Sequence, residues 1–245
     1  MTVSQWNARV WVLLGVTAAS LAALLFLPPI PQDQAYHHYA DQRAWLGIPN
    51  FWNVVSNIPF LLVGAAGLRL SGPPSMRIIF LGIFLVGFSP AYYHWTPSDA
   101  TLIWDRLPMT LGFMAILANI IEERVSEKAG ALLLWPLLVL GIASLIVWRF
   151  TDDLRLYGWV QFFPMMALLL IFVLFPAKHT GTVNWLIAAA LYAAAKLPEL
   201  YDASIFSAVH AVSGHTIKHL LAAVACFFIL RNFQTRQPVS AATHN

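Results

Sequence analysis

The chain has 245 residues, of which 59% are hydrophobic and 10% charged, with a formal net charge of +3. A soluble domain of this length usually carries about 25% charge, so the composition, with a mean hydropathy of +0.69, points to lipid as the solvent and to one membrane domain over residues 1–245. No Lys/Arg cluster exists to neutralise a row of phosphates, which excludes nucleic acid as a partner, and the single Cys226 excludes an internal disulfide or a cysteine-based zinc site.

A spanning helix needs about 20 mostly apolar residues. The first candidate is 10–28, preceded by Arg9. It is too long for a signal-peptide core and no Ala-x-Ala-like site precedes Pro28-Pro29, so it reads as a retained helix. A polar connection at 29–50 follows, then spans at 51–70, 76–96, 101–121, 130–148, 157–175, 183–199 and 206–230. The seventh of the eight is crowded at its end by Lys196, Pro198 and Glu199, and the stretch 231–245 reads as a disordered tail. The expected fold is therefore an all-α polytopic membrane bundle. Lys and Arg are more frequent on the flanks that become cytoplasmic if both termini are inside, so the chain is expected to be a bacterial inner-membrane protein with cytoplasmic N- and C-termini. Trp45, Trp52, Trp95, Trp104 and Trp159 then fall at the outer boundary.

Ionisable side chains inside spans are costly and face the bundle interior. His94 closes the third span and Asp105 opens the fourth, eleven positions later. His215 and His219 lie in the eighth, four apart, which on a helix puts both rings on one face and is a spacing that offers two imidazoles to one metal. Two histidines at this spacing could equally bridge helices by hydrogen bonds. His94 and Asp105, from an independent segment at matching depth, favour the metal. Three imidazoles and an open position describe a catalytic zinc, and a nearby carboxylate could take a proton from its water. His37, His38, His179, His210 and His244 read as loop, boundary or tail histidines.

The segments Ser89-Pro90-Ala91-Tyr92-Tyr93-His94, Trp104-Asp105-Arg106-Leu107-Pro108-Met109 and Ser213-Gly214-His215-Thr216-Ile217-Lys218-His219 resemble, in order and placement, the alkaline ceramidase family. That family belongs to a larger superfamily of seven-span hydrolases that also includes the adiponectin-receptor-like proteins. The stretches Asn50–Asn57 and Glu199–Asp202 resemble the openings of its first and last core spans. The resemblance covers about 36–230 and implies a seven-helix core, with 10–28 as an added N-terminal helix. It implies zinc on His94, His215 and His219, Asp105 as general base, a serine that stabilises the oxyanion or the metal's water, and hydrolysis of a ceramide-like, sphingolipid-type amide. The candidate for that serine is Ser89, because Pro90 stands at the family's serine position four residues before the histidine. Arg106 stands where the family often has an acidic residue; it could pair with Asp105, recognise an anionic head group or anchor at the interface. Animal and yeast members carry a calcium site, for which this chain offers Asp41, Asn50 and Asp33.

The loop Tyr36–Arg43 lies on the side of the expected metal and could cap the bundle or simply connect two spans. Asn53, Ser56 and Asn57 are polar positions of a kind that more often stitch helices together than bind substrate. The alternative function is a receptor or sensor of the same superfamily with a structural metal. Haem ligation suits histidines on one helix poorly, and a retinal attached to Lys218 leaves three histidines unexplained.

Overall fold

The structure is a computed structural model and describes residues 3–239. Helices account for all the regular structure among these residues, in the order α1 Val3–Ala23, α2 Phe51–Val55, α3 Ile58–Leu68, α4 Pro74–Val86, α5 Ser89–Trp95, α6 Asp99–Ile120, α7 Glu127–Thr151, α8 Arg155–Leu174, α9 Thr182–Ala194, α10 Lys196–Leu200, α11 Asp202–Val209 and α12 Gly214–Thr235. A 3-10 turn at Gln34–His37 interrupts the first long connection, and a π turn at Ile121–Val125 prolongs α6.

Six segments among the described residues are long and apolar enough to cross a membrane: Phe51–Leu68, Pro74–Trp95, Asp99–Val125, Glu127–Thr151, Arg155–Leu174 and Gly214–Thr235. The protein is a multi-pass membrane protein. Helix α1 and the α9–α10 pair take the places of the other two expected spans; α9 has 13 residues before the chain breaks at Ala195. The pattern on α7 shows what lipid does to a sequence. Leu132, Trp135, Val139, Ile142 and Ile146 recur every three or four residues and are exposed, while Leu134, Leu138, Leu145 and Trp148 on the other side are buried. Both stripes are apolar because both the core and the bilayer exclude water.

Several expected spans are broken rather than continuous. Helix α2 yields to α3 at Ser56-Asn57, ahead of Pro59, and α4 yields to α5 at Gly87-Phe88, ahead of Pro90. Each proline sits in the first turn of the new helix, where its missing N–H costs nothing. The expected span 10–28 is displaced to Val3–Ala23: the chain tightens into turns at Leu24–Phe26 before Pro28-Pro29, which cannot continue a helix. Helix α1 packs on α8 through Trp159 Nε1 donating to Ser20 Oγ at 3.0 Å and an Arg9 guanidinium on the Leu174 carbonyl.

Two further expectations are corrected. The last span begins at Gly214, not 206, because residues 202–209 form the separate α11, which ends in left-handed His210. The tail expected from residue 231 is helical to Thr235 and then pairs its backbone with Lys178 and Thr180, so residues 231–239 are ordered. Residues 240–245 of that tail, His244 included, lie outside the described residues.

Helix α6 runs through the centre, against α4, α5, α7 and α8. The core around it is built from Ile79, Phe80, Met114, Ile120, Ile171 and Trp185. The C-terminus of α5 and the N-termini of α6 and α12 meet at one end of the bundle, under the 29–50 connection.

Candidate metal centre

Each helix end delivers one part of the site. Helix α5 carries His94 in its last turn. Ser98 then caps α6 by accepting a hydrogen bond from the Thr101 amide, which places Asp105 in the second turn. Ser213 caps α12 in the same way, accepting from Thr216 N–H, so His215 stands in the first turn and His219 one turn below. Gly214 is required there: a side-chain carbon at this position would overlap the Pro198 carbonyl oxygen and lie 2.8 Å from Asp202 Cα. Helix α12 therefore starts pressed against α10 and α11, and His215 is nearer its start than a span beginning at 206 implies.

The three rings converge. Ring centroids are 4.9 Å apart for His94 and His215, 4.8 Å for His94 and His219, and 4.6 Å for His215 and His219. One ligand atom from each lies within 4.8 Å of the others, and all three residues are buried. Nε2 of His94 and Nε2 of His215 are buried without a hydrogen-bond partner. Two orphaned imidazole nitrogens facing a third ring in a dry interior are costly unless something fills the space between them. A metal ion is the group these donors fit.

The outer nitrogens are held. His94 Nδ1 is 2.7 Å from the Tyr39 hydroxyl, and His219 Nδ1 is 2.7 Å from Ser56 Oγ. With Nδ1–H donating to each oxygen, Nε2 is left with its lone pair inward, the tautomer a metal needs. His215 is fixed through its backbone: its N–H donates to Asp202 Oδ1 at 2.7 Å, while Asp202 Oδ2 accepts from Ala40 N–H at 2.9 Å. Asp105 Oδ1 lies 3.9 Å from His94 Nε2. His94, His215, His219 and Asp105, drawn from three helices, are thus brought together.

Ser89 is the first residue of α5 and half-buried, while its neighbour Pro90 lines the interior cavity. The candidate calcium residues are engaged elsewhere. Both carboxylate oxygens of Asp41 are taken by the Arg43 guanidinium, at 2.8 and 2.7 Å. Asn50 donates to the His94 carbonyl at 2.8 Å, and Asp33 caps the 3-10 turn by accepting from Ala35 N–H.

The 29–50 connection caps the site. Beside Tyr39, His37 bridges Asp99 Oδ1 at 2.9 Å and the Tyr93 hydroxyl at 3.0 Å, so it is a tethered residue and not the solvated one its loop position suggests. Burial drives the Tyr36 and Tyr39 phenols above their ordinary pKa, so both stay neutral hydrogen-bonding groups. Asn53 stitches helices as expected, accepting from Thr216 Oγ1 at 3.1 Å and donating to the Asp41 carbonyl at 3.3 Å. The ring-holding roles of Tyr39 and Ser56 were not foreseen. The available signal is the i, i+3 spacing of Asn53 and Ser56 in an apolar span.

Beside His219, the one of the three histidines that lines it, lies a cavity of about 550 Å³, within the range of ~300–1,000 Å³ usual for ligand sites. His219, Asp105 and Glu199 line its polar end and Ile116, Leu168 and Ile229 its apolar end. Along α12, His219 to Ile229 spans about 15 Å at 1.5 Å per residue.

Fold and site together define a multi-pass helical membrane protein with a buried three-histidine group that could hold one metal ion beside an elongated, mostly apolar cavity. The chain matches the Ceramidase family over residues 46–242 and belongs to it. Membership implies a membrane hydrolase of ceramide-type amide bonds. No curated protein matches the chain.

Proposed function

We propose that this protein is a zinc-dependent amidase of ceramide-like N-acyl lipids, working at the His94/His215/His219 centre. The reading rests on the unpartnered imidazole nitrogens of His94 and His215 converging on His219, which with Asp105 lines a lipid-sized cavity. Bound zinc supplies Lewis acidity and a water whose pKa falls to about 7.

The chain's own residues do the rest. Nε2 of each histidine would hold the ion, and Tyr39 and Ser56 keep the His94 and His219 rings from turning. Asp105, close to His94 Nε2, is placed to accept a proton from the attacking water and to pass one to the leaving amine. The apolar length of the cavity holds the acyl chain and sets the amide at the histidines. The capping loop, closed by Tyr36, His37 and Tyr39, excludes bulk water from above. Ser89, one residue away from the cavity wall, assists less than Asp105 does; Ser89→Ala is expected to slow turnover by less than Asp105→Asn.

We assign α1 as an addition to a seven-helix core in one membrane domain, with both termini cytoplasmic and the site toward the outer face of a bacterial inner membrane. Metal analysis of the purified protein, paired with amine release from a panel of N-acyl lipids, tests the function. Stoichiometric zinc and turnover that a chelator abolishes are expected. Zinc without turnover of any amide would leave the receptor-type reading, and absence of bound metal would refute both.

A further inference from the structure

The cavity holds a buried charge that the proposed reaction does not use. Arg106, on α6 next to Asp105, is 5% exposed. Its guanidinium carbon lies 4.3 Å from the Trp148 ring centre and 4.5 Å from that of Tyr157, with Tyr36 at 5.9 Å. One nitrogen, Nη2, donates to Gln32 Oε1 at 2.7 Å. The other, Nη1, is buried and has no hydrogen-bond partner. The groups that contact this guanidinium are neutral.

The other cations of the cavity are treated differently. Lys196 and Lys218 share Glu199, at 3.0 and 2.9 Å. Arg43 and Arg155, at the rim of the bundle, have Asp41 and Asp153. Arg106 is a permanent charge held out of water with no carboxylate in contact, its chain neighbour Asp105 acting on it only through space, an arrangement that is costly unless a closer counter-charge arrives. The aromatic rings above and below restrain it and recover part of that cost, but they leave the edge of the fork open. Arg106, Gln32, Tyr36 and Tyr157 line the same cavity as Asp105 and His219. A ligand whose amide reaches the histidines therefore has its polar end within the compartment of the unpaired guanidinium.

We propose that the cavity takes a lipid amide whose polar end carries one acidic oxyanion, a carboxylate, phosphate or sulfonate, and that Arg106 Nη1 is its counter-charge. The proposal rests on the amidase reading and narrows its substrate class. A neutral N-acyl lipid fills the apolar end equally well but leaves Nη1 unpaired. An anionic one pairs it, and the stacked, pre-oriented guanidinium gives up little freedom in doing so.

The test uses the full-length, zinc-loaded protein in lipid nanodiscs. The probes are N-dodecanoylglycine against its methyl ester, and N-dodecanoyl-O-phosphoethanolamine and the sulfonate N-dodecanoyltaurine each against N-dodecanoylethanolamine. Binding is measured by calorimetry and hydrolysis by amine release. At least one acidic probe is expected to bind about tenfold or more tightly than its neutral counterpart, the scale of one charge-assisted hydrogen bond. Arg106→Gln is expected to remove that preference and Arg106→Lys to keep part of it. Equal binding of acidic and neutral probes by the wild type overturns the proposal, whether or not the variants fold. So does an undiminished preference in Arg106→Gln. His215→Ala separates this site from the chemistry: it should lose amine release and keep the preference in binding. A preference in binding with no hydrolysis of any probe sinks the amidase reading and leaves the oxyanion site standing. Hydrolysis without a charge preference does the reverse.

Discussion

Ser56 Oγ lies 2.7 Å from His219 Nδ1, and the same hydroxyl is 3.2 Å from the Asn53 carbonyl. The carbonyl can only accept, so the hydroxyl donates to it and accepts from Nδ1–H, which leaves His219 Nε2 free for a metal. Ser56→Ala removes that tautomer lock. Metal affinity is expected to fall by about 10–100-fold, the usual effect of losing an outer partner of a ligand histidine. Competition with a calibrated zinc chelator measures it; unchanged affinity would mean that the ring is held by packing alone.

His215→Ala should abolish zinc retention, because two imidazoles remain and one of them faces a void. Asp105→Asn should spare the metal and lower turnover by about 10²–10⁴-fold, the range of general base catalysis. Elemental analysis and amide hydrolysis on the same preparations separate the two. Full activity in Asp105→Asn would remove the carboxylate from the chemistry.

Gly214→Ala places a carbon against the Pro198 carbonyl, and backbone cannot step aside as a flexible side chain can. A destabilisation of about 1–3 kcal/mol is expected, as for other overpacked sites, together with weaker zinc binding because His215 is the next residue. A thermal melt with and without zinc reads both; a smaller zinc-induced shift than in wild type marks the displaced ligand.

Gly112 lines the cavity, and a side chain added there meets nothing within 4 Å. Gly112→Leu should fill space meant for the acyl chain while sparing the helix, which gains about 0.5–1 kcal/mol from losing a glycine. Turnover measured against acyl length should shift its optimum to shorter chains, with the melting temperature held or raised. An unaltered length profile would show that the chain lies elsewhere.

The 29–33 segment docks on Asp152 and Asp153 through the amides of Gln32 and Ile30, at 2.9 and 3.3 Å. The Arg155 side chain beside Asp153 holds its carboxyl below the ordinary value, ahead of the opposing effect of burial. Asp153 therefore contributes stability that is present above its unfolded pKa of about 3.9 and is lost as pH falls through the lower folded value. Limited proteolysis at 29–36 should accelerate across that acid window, and Asp153→Asn should show the faster cleavage already at neutral pH. Cleavage independent of pH in the wild type would count against this tether.

The bundle and the three-histidine group were legible because they follow local rules. Length and apolarity mark a span, and His215 and His219 at i, i+4 share a face whatever surrounds them. The start of α12 was misplaced because 206–230 has the length and overall apolarity of a span despite its polar residues, while the break at His210 is set by a left-handed backbone that apolarity does not encode. The cap at Ser213, three residues before Thr216, was the readable sign of the true start. Arg106 was open between anchor and ligand group because its position near a span end fits both. Its burial depends on Trp148 and Tyr157, more than forty residues away in sequence. Tyr39 belonged to a connection whose partners lie over fifty residues downstream, which no local pattern announces.

Asp202 holds the Ala40 amide with one oxygen and the His215 amide with the other. Besides the contacts of Tyr36, His37 and Tyr39, one side chain therefore ties the roof over the histidines directly to the helix that carries two of them. Peeling the roof back to admit a guest would tug on a ligand of the ion at the same moment. A visitor that slides in sideways between helices, from the bilayer, leaves that hinge pin undisturbed.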